Sequence, residues 1–229
     1  MRASAKLRLL AALLTPLAVG ACAQATSTPA PAPPPTTANP SNEEIEAIFR
    51  ARTDSARMRF TDADVRFMQH MIHHHAQAIE VSRMAPARTT TPSIQTLAAR
   101  IINAQQDEIA TMQRWLRDRG QAVPELHITD SAVMVHGGHH PMDMPGMLSA
   151  GQISNLAAAQ GTAFDRLFLT LMIEHHSGAV TMVHDLFATD GAGQDEDVFR
   201  FAADVQVDQA TEVARMQLML SAMDSDRSR

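Results

Sequence analysis

The sequence predicts an all-α protein, a four-helix bundle built from two repeated helical hairpins, each preceded by a short helix. Three observations carry this expectation. Strand formers are scarce, with no Tyr and a single Trp, while Ala, Leu, Met, Gln, Glu and Arg fill the regular stretches. Capping signals recur at the spacing of helix starts. Finally, one half of the chain aligns on the other at a nearly constant offset. With 229 residues, 45% of them hydrophobic, the chain can bury a sizeable core.

The elements follow in order. Arg2, Lys6 and Arg8 precede an apolar run from Leu9 to Val19, and Gly20 and Ala21 stand before Cys22. Residues 1–21 therefore read as a secretory signal, too short for a comfortable membrane span. The run Val19-Gly20-Ala21-Cys22 resembles the lipobox of bacterial lipoproteins, which makes Cys22 the lipidation site. As the only cysteine, Cys22 excludes an intrachain disulfide and a thiolate metal site in the folded part. Losing the three positive charges of the signal takes the formal charge from −6 to −9, which argues against a nucleic-acid partner.

Residues 22–42 are Pro, Thr, Ala and Ser with almost no large apolar side chain, and read as a tether. The first helical repeat is expected over 43–120. Ser41 and Glu44 have capping-box spacing for a short helix to about Arg57, and Thr61 or Asp62 starts a second helix that runs to about Met84. Pro92 suits the first turn of a third helix and Gly120 its C-terminal cap. Residues 121–148, rich in His, Met, Gly and Pro and without helical period, read as a linker. The second repeat is expected over 149–224, with Ser149 and Gln152 in capping-box spacing, a long helix from about Thr162 to Phe187, and a last one from about Asp195 to Asp224. Together 43–224 form one bundle domain.

The repeat is specific. Asp64, Phe67, Met71, Ile72, His74, His75 and Ala78 recur as Asp165, Phe168, Met172, Ile173, His175, His176 and Ala179 at an offset of 101. In the following helices Gln105, Glu108 and Met112 recur as Gln209, Glu212 and Met216 at an offset of 104. Positions 67, 71, 74, 78 and 81, and likewise 168, 172, 175, 179 and 182, step as the seam of a buried helix. His74 and His175 lie on that seam. His75 and His176 lie on the neighbouring apolar row and also face inward.

Adjacent helical residues point about 100° apart, so a His-His pair is poorly shaped to chelate one ion alone. Met71 with His74 or His75, and Met172 with His175 or His176, at spacings of three and four, are better placed, as is a site drawing ligands from both repeats. Glu108 and Glu212 interrupt apolar stripes, as do Gln105 and Gln209. An imidazole across the hairpin is the natural partner of a buried Glu, either orienting a metal-binding His or satisfying a core polar network. The linker is a second candidate, with His136, His139, His140, Met142, Met144 and Met147 within twelve residues. Thioether favours Cu(I), and imidazole also serves Cu(II). His70, His73 and His184 have no counterpart in the other repeat and rank lower; His127 reads as isolated.

No Glu has a His three residues later, which weighs against a di-iron centre. Phosphate-loop, nucleophile-elbow and zinc-protease motifs are missing from the sequence, and nothing in it calls for an enzyme.

At Phe67, Met68, Met71, Ile72, His74 and His75, and again at Phe168, Leu169, Met172, Ile173, His175 and His176, the chain resembles the bacterial domain-of-unknown-function family 305. The likeness spans about residues 43–223 and takes in the Gln, Glu and Met spacing of the second helices and the His/Met-rich linker. It implies a ferritin-like four-helix bundle, exported, with some members tied to copper binding and copper tolerance. The Met that ends the family's motif is Met182 in the second copy, where the first has Val81.

The expectation is thus an exported, lipid-anchored envelope protein that binds copper, as Cu(I), Cu(II) or both, and silver as its soft analogue, for buffering, transport or tolerance. Its membrane contact is through the lipid anchor alone. The alternative is a metal-independent envelope interaction module in which the buried histidines form a hydrogen-bonded or pH-responsive core.

Overall fold

The computed structural model describes residues 41–57, 59–129, 133–137 and 144–227. Cys22, His139, His140 and Met142, and with them the signal and most of the tether, lie outside the described residues. The elements described below belong to one unit that begins at Asn42.

A short helix α1 (Asn42–Arg57) comes first, with Glu43 and Glu44 in its first turn, where carboxylates offset the helix dipole. Two long hairpins follow. The first pairs α2 (Asp62–Ser82) with α4 (Pro92–Asp118) across a one-turn helix α3 (Ala85–Arg88). The second, preceded by α5 (Ala150–Ala158), pairs α6 (Gly161–Ala188) with α7 (Glu196–Arg227). The inner helices α2 and α6 pack against each other and join the hairpins into a four-helix bundle. Among the described residues no helix is long and apolar enough to cross a membrane.

Local chemistry sets the helix starts. The hydroxyl of Thr61 accepts from the backbone N–H of Asp64 while the Asp64 carboxylate accepts from the Thr61 N–H at 2.7 Å, a full capping box. Ser149 and Gln152 do the same for α5. Pro92 occupies the first turn of α4 without needing a donor.

The same Asp of each repeat also ties the hairpins together. Asp64 accepts from the N–H of Gly193, in the α6–α7 turn, at 2.7 Å, and Asp165 on α6 accepts from the Thr91 hydroxyl just before α4 at 2.6 Å. The beginning of each inner helix therefore meets the far end of the other hairpin, so α2 and α6 run antiparallel. The core divides into two apolar clusters, one centred on Phe67, Met71, Met112 and Met182, the other on Leu97, Phe164, Phe168, Met172 and Met216.

One departure from the all-helical expectation lies in the linker, where Glu125–Ile128 (β1) and Val133–His136 (β2) form a small antiparallel hairpin pairing Glu125 with His136. Its alternation is legible in Leu126, Ile128, Val133 and Val135, but segments of four residues are too short to stand out beside the Gly and Pro around them. The hairpin packs on α2, and the chain past it is fastened to the same helix. Gln77 on α2 exchanges two hydrogen bonds with the backbone of Leu148, at 2.9 and 2.7 Å.

Candidate metal centre

His74 and His175 meet at the contact between the inner helices, their rings tilted against each other with centroids 3.8 Å apart and an interplanar angle of 37°. His75 and His176 flank them, centroids 6.4 and 6.1 Å from His74 and His175 respectively. All four are buried, none more than 1% exposed. The seam spacing explains this: positions on the two inward rows of α2 and α6 project to the same interface.

Each outer imidazole is held by a carboxylate from the second helix of its own hairpin. His75 Nε2 lies 2.6 Å from Glu108 and His176 Nε2 lies 2.8 Å from Glu212. An ionised carboxylate only accepts, so each Nε2 carries a proton, and in the neutral ring this leaves the lone pair on Nδ1. His74 reaches the same state differently, its Nε2–H donating to the carbonyl of Pro145 at 3.1 Å. The Nδ1 atoms of His74, His75 and His176, and both ring nitrogens of His175, are buried without a hydrogen-bond partner. A buried polar atom left unpaired is costly, and several of them in four adjoining rings call for an explanation other than packing.

Charge agrees with this reading. Burial, reinforced by the neighbouring imidazoles, lowers the pKa of His74 to about 3 and holds that of His175 well below its ordinary value. Both are neutral at physiological pH, the form that binds metals. On the α7 side, Asp208 is pushed up by partial burial and by Glu108, Asp204 and Glu212, so the carboxylates behind the outer imidazoles share one negatively charged face.

Met71 and Met172 are fully buried one turn before the histidines. Gln105 and Gln209 are also buried, but both amide atoms of Gln105 and the carbonyl oxygen of Gln209 find no partner, so they do not complete a polar network with the Glu–His pairs. Among the described residues, no three His, Cys, Asp or Glu side chains sit close enough to hold one ion together. The donor set that fits an ion here is therefore imidazole with thioether, the chemistry of soft and borderline metals rather than of a carboxylate cage.

The linker donors part company. His136 is exposed on β2, where its ring meets that of His127 with centroids 5.1 Å apart, so His127 is not isolated in space although it is in sequence. Met144 is buried against the bundle, and Met147 is half-buried against the same core cluster. The turn between them is pressed onto α6. A Cβ on Gly178 would stand 2.2 Å from the Pro145 carbonyl oxygen, and one on Gly146 would stand 2.7 Å from the Gly178 Cα. Gly146 also has φ +76°, a region that disfavours any side chain. This close passage places the Pro145 carbonyl over His74. Sequence spacing alone could not have found it, although a Gly at 178 inside a long helix was a visible sign of close backbone approach.

Fold and site together define a class: a duplicated helical bundle whose core holds two neutral imidazoles and two carboxylate-backed ones beside thioethers. The chain belongs to the family described as domain of unknown function DUF305, whose family model matches residues 64–220. It is similar to a solved DUF305 fragment from Deinococcus radiodurans, with 29% identity, TM-score 0.58, and coverage of 71% of this chain and 98% of that one. A DUF305 protein from Streptomyces coelicolor, described as secreted, has 27% identity, TM-score 0.58 and coverage of 71% and 92%. The Cu(II)-bound form of CopM has 28% identity, TM-score 0.54 and coverage of 69% and 96%. No curated protein matches the chain.

Proposed function

We propose that this protein is an exported copper-binding protein of the cell envelope, anchored through a lipid on Cys22, that takes copper as cargo for buffering, transport or tolerance. The observation that carries the reading is the set of unpartnered ring nitrogens of His74, His75, His175 and His176, held neutral or oriented next to Met71 and Met172. In support, CopM has been solved in Cu(I)-, Cu(II)- and silver-bound forms, and the Streptomyces relative is described as secreted.

The chain's own residues account for the binding. Burial keeps His74 and His175 unprotonated, so no proton need leave before a cation arrives. Glu108 and Glu212 hold the rings of His75 and His176 in one orientation, as the carboxylate behind a metal-binding imidazole does. The thioethers of Met71 and Met172 add softness, which favours Cu(I) and Ag(I) over harder divalent ions. In this reading His136, His139, His140 and Met142 collect copper at the linker, and the protein is not an enzyme.

Titration with Cu(I) and Cu(II) tests the proposal. Sub-micromolar Cu(I) binding is expected, with a loss of about tenfold or more when His74 and His175 are both replaced by Leu. Affinity no better than about micromolar, unchanged both by that replacement and by replacing the linker donors, would overturn it.

A second reading is favoured by the depressed pKa values of His74 and His175: a metal-independent interaction module whose core responds to acidity. Metal content after native purification separates the two. A metal-free protein whose melting temperature ignores copper but falls steeply with pH belongs to the second.

A further inference from the structure

Beside the four-histidine centre lies an open cleft of about 200 Å³, bounded by the first half of α2, the second half of α6 and the end of the linker. His70, Met144, Met182 and Asp185 stand on its walls, with Arg66 and Phe67 beside them. Both methionines are only 7% exposed. Buried methionines usually serve packing, so the question is what separates this place from an ordinary piece of core.

The duplication supplies the comparison. At the offset of 101, His70 corresponds to Leu171, Met182 to Val81 and Asp185 to Met84. Leu171 and Val81 are buried in the other apolar cluster, with Met84 packed against it. The equivalent place in the other half thus carries no imidazole and no carboxylate from these positions. Met144 comes from the linker, which the repeat does not duplicate. Donors have been gathered at one end of an otherwise repeated structure.

Met144 is also held in place before any ligand arrives. The N–H of Met147 donates to its carbonyl at 3.2 Å, the next residue's carbonyl accepts from His74, and Gly146 is wedged against Gly178. A donor fixed in this way loses little freedom on binding. Two thioethers select a soft monovalent cation, and an imidazole completes a set that suits Cu(I) and Ag(I).

We propose that this cleft is a second soft-metal site, loaded independently of the four-histidine centre, in which Met144, Met182 and His70 take Cu(I) or Ag(I). The proposal rests on the reading of the chain as a copper-binding protein and gives the cation a second place in it.

The test compares the full chain with M144L/M182L and with H74L/H175L. Cu(I) equivalents are read by competition with a chromophoric chelator, and copper–sulfur scattering by X-ray absorption. Met to Leu nearly conserves volume, so the fold should survive, with far-UV circular dichroism as the check and the single M182L as a milder variant. M144L/M182L is expected to bind about one fewer Cu(I), with reduced sulfur scattering, while H74L/H175L keeps that equivalent. Unchanged stoichiometry and sulfur scattering in M144L/M182L would overturn the cleft site; if H74L/H175L then loses binding, the four-histidine reading stands without it. Loss confined to M144L/M182L upholds the cleft and overturns the four-histidine centre. Joint loss of both equivalents in H74L/H175L and also in H175L, which keeps the hydrogen bond from His74 to Pro145, overturns independent loading, and no Cu(I) binding by the unmodified chain overturns both proposals.

Discussion

The imidazoles of His74 and His175 meet at a tilt with their centroids 3.8 Å apart, one from each half of the chain, and neither keeps a charge at neutral pH. In the unfolded chain each would titrate near the ordinary histidine value of about 6.5. Between that value and about 3 for His74, the unfolded state binds more protons than the folded one. Stability contributed by the neutral pair is therefore complete above about pH 6.5 and is lost as pH falls below it. The metal-free protein should lose up to about 1.4 kcal/mol per pH unit from His74 alone in this window. Chemical denaturation at a series of pH values checks this, and H74L/H175L should show a shallower decline.

Removing a carboxylate from behind an imidazole should weaken metal binding without unfolding the bundle. E108Q and E212Q are each expected to reduce Cu(I) affinity by about tenfold, and by similar amounts because the two pairs are equivalent by repeat. Competition titration measures it. An effect of one and not the other would show that a single half carries the centre.

Gly178 should tolerate no side chain. The Cβ of G178A would collide with backbone, the Pro145 carbonyl at 2.2 Å and the Gly146 Cα at 2.4 Å, so the linker has to lift away. A loss of about 1–3 kcal/mol is expected. Limited proteolysis should cut the linker of G178A faster than that of the unmodified chain, and the hydrogen bond from His74 to Pro145 should be broken.

Far from the histidines, Asp195 holds Arg119 at 2.6 Å and accepts from the Trp115 indole at 3.1 Å, both charged side chains being almost completely buried. Arg119 also lies 4.4 Å from the Trp115 ring. D195N leaves the buried guanidinium only the exposed carboxylate of Asp197, 3.3 Å away, as a counter-charge. The expected cost is about 3–5 kcal/mol, read from urea denaturation, with copper stoichiometry unchanged.

Much of this fold was legible because it is written twice. A heptad-like seam interrupted by His at matching places can be satisfied only if both copies bury that face, and the bundle follows. Glu108 and Glu212 were readable as needing partners, since a carboxylate on an apolar stripe must be paired. What the spacing could not show depends on contacts between segments distant in sequence. The contact of His74 with His175 needs the relative placement of the two hairpins, and the descent of Met144 into a cleft with Met182 needs the passage of the linker over Gly178. The small β hairpin was missed because four-residue strands carry too little pattern.

The reciprocal latches, Asp64 to Gly193 and Asp165 to Thr91, have the form of an isologous contact, the same patch meeting itself about a twofold axis. In a dimer of separate identical chains such a contact binds every substitution to appear on both sides at once. Carrying both copies on one chain removes that obligation. Leu171 can remain hydrocarbon while its counterpart is His70, and a single connecting segment can enter one end of the molecule only. Covalent fusion thus gives a symmetric scaffold two unlike ends, and so a direction.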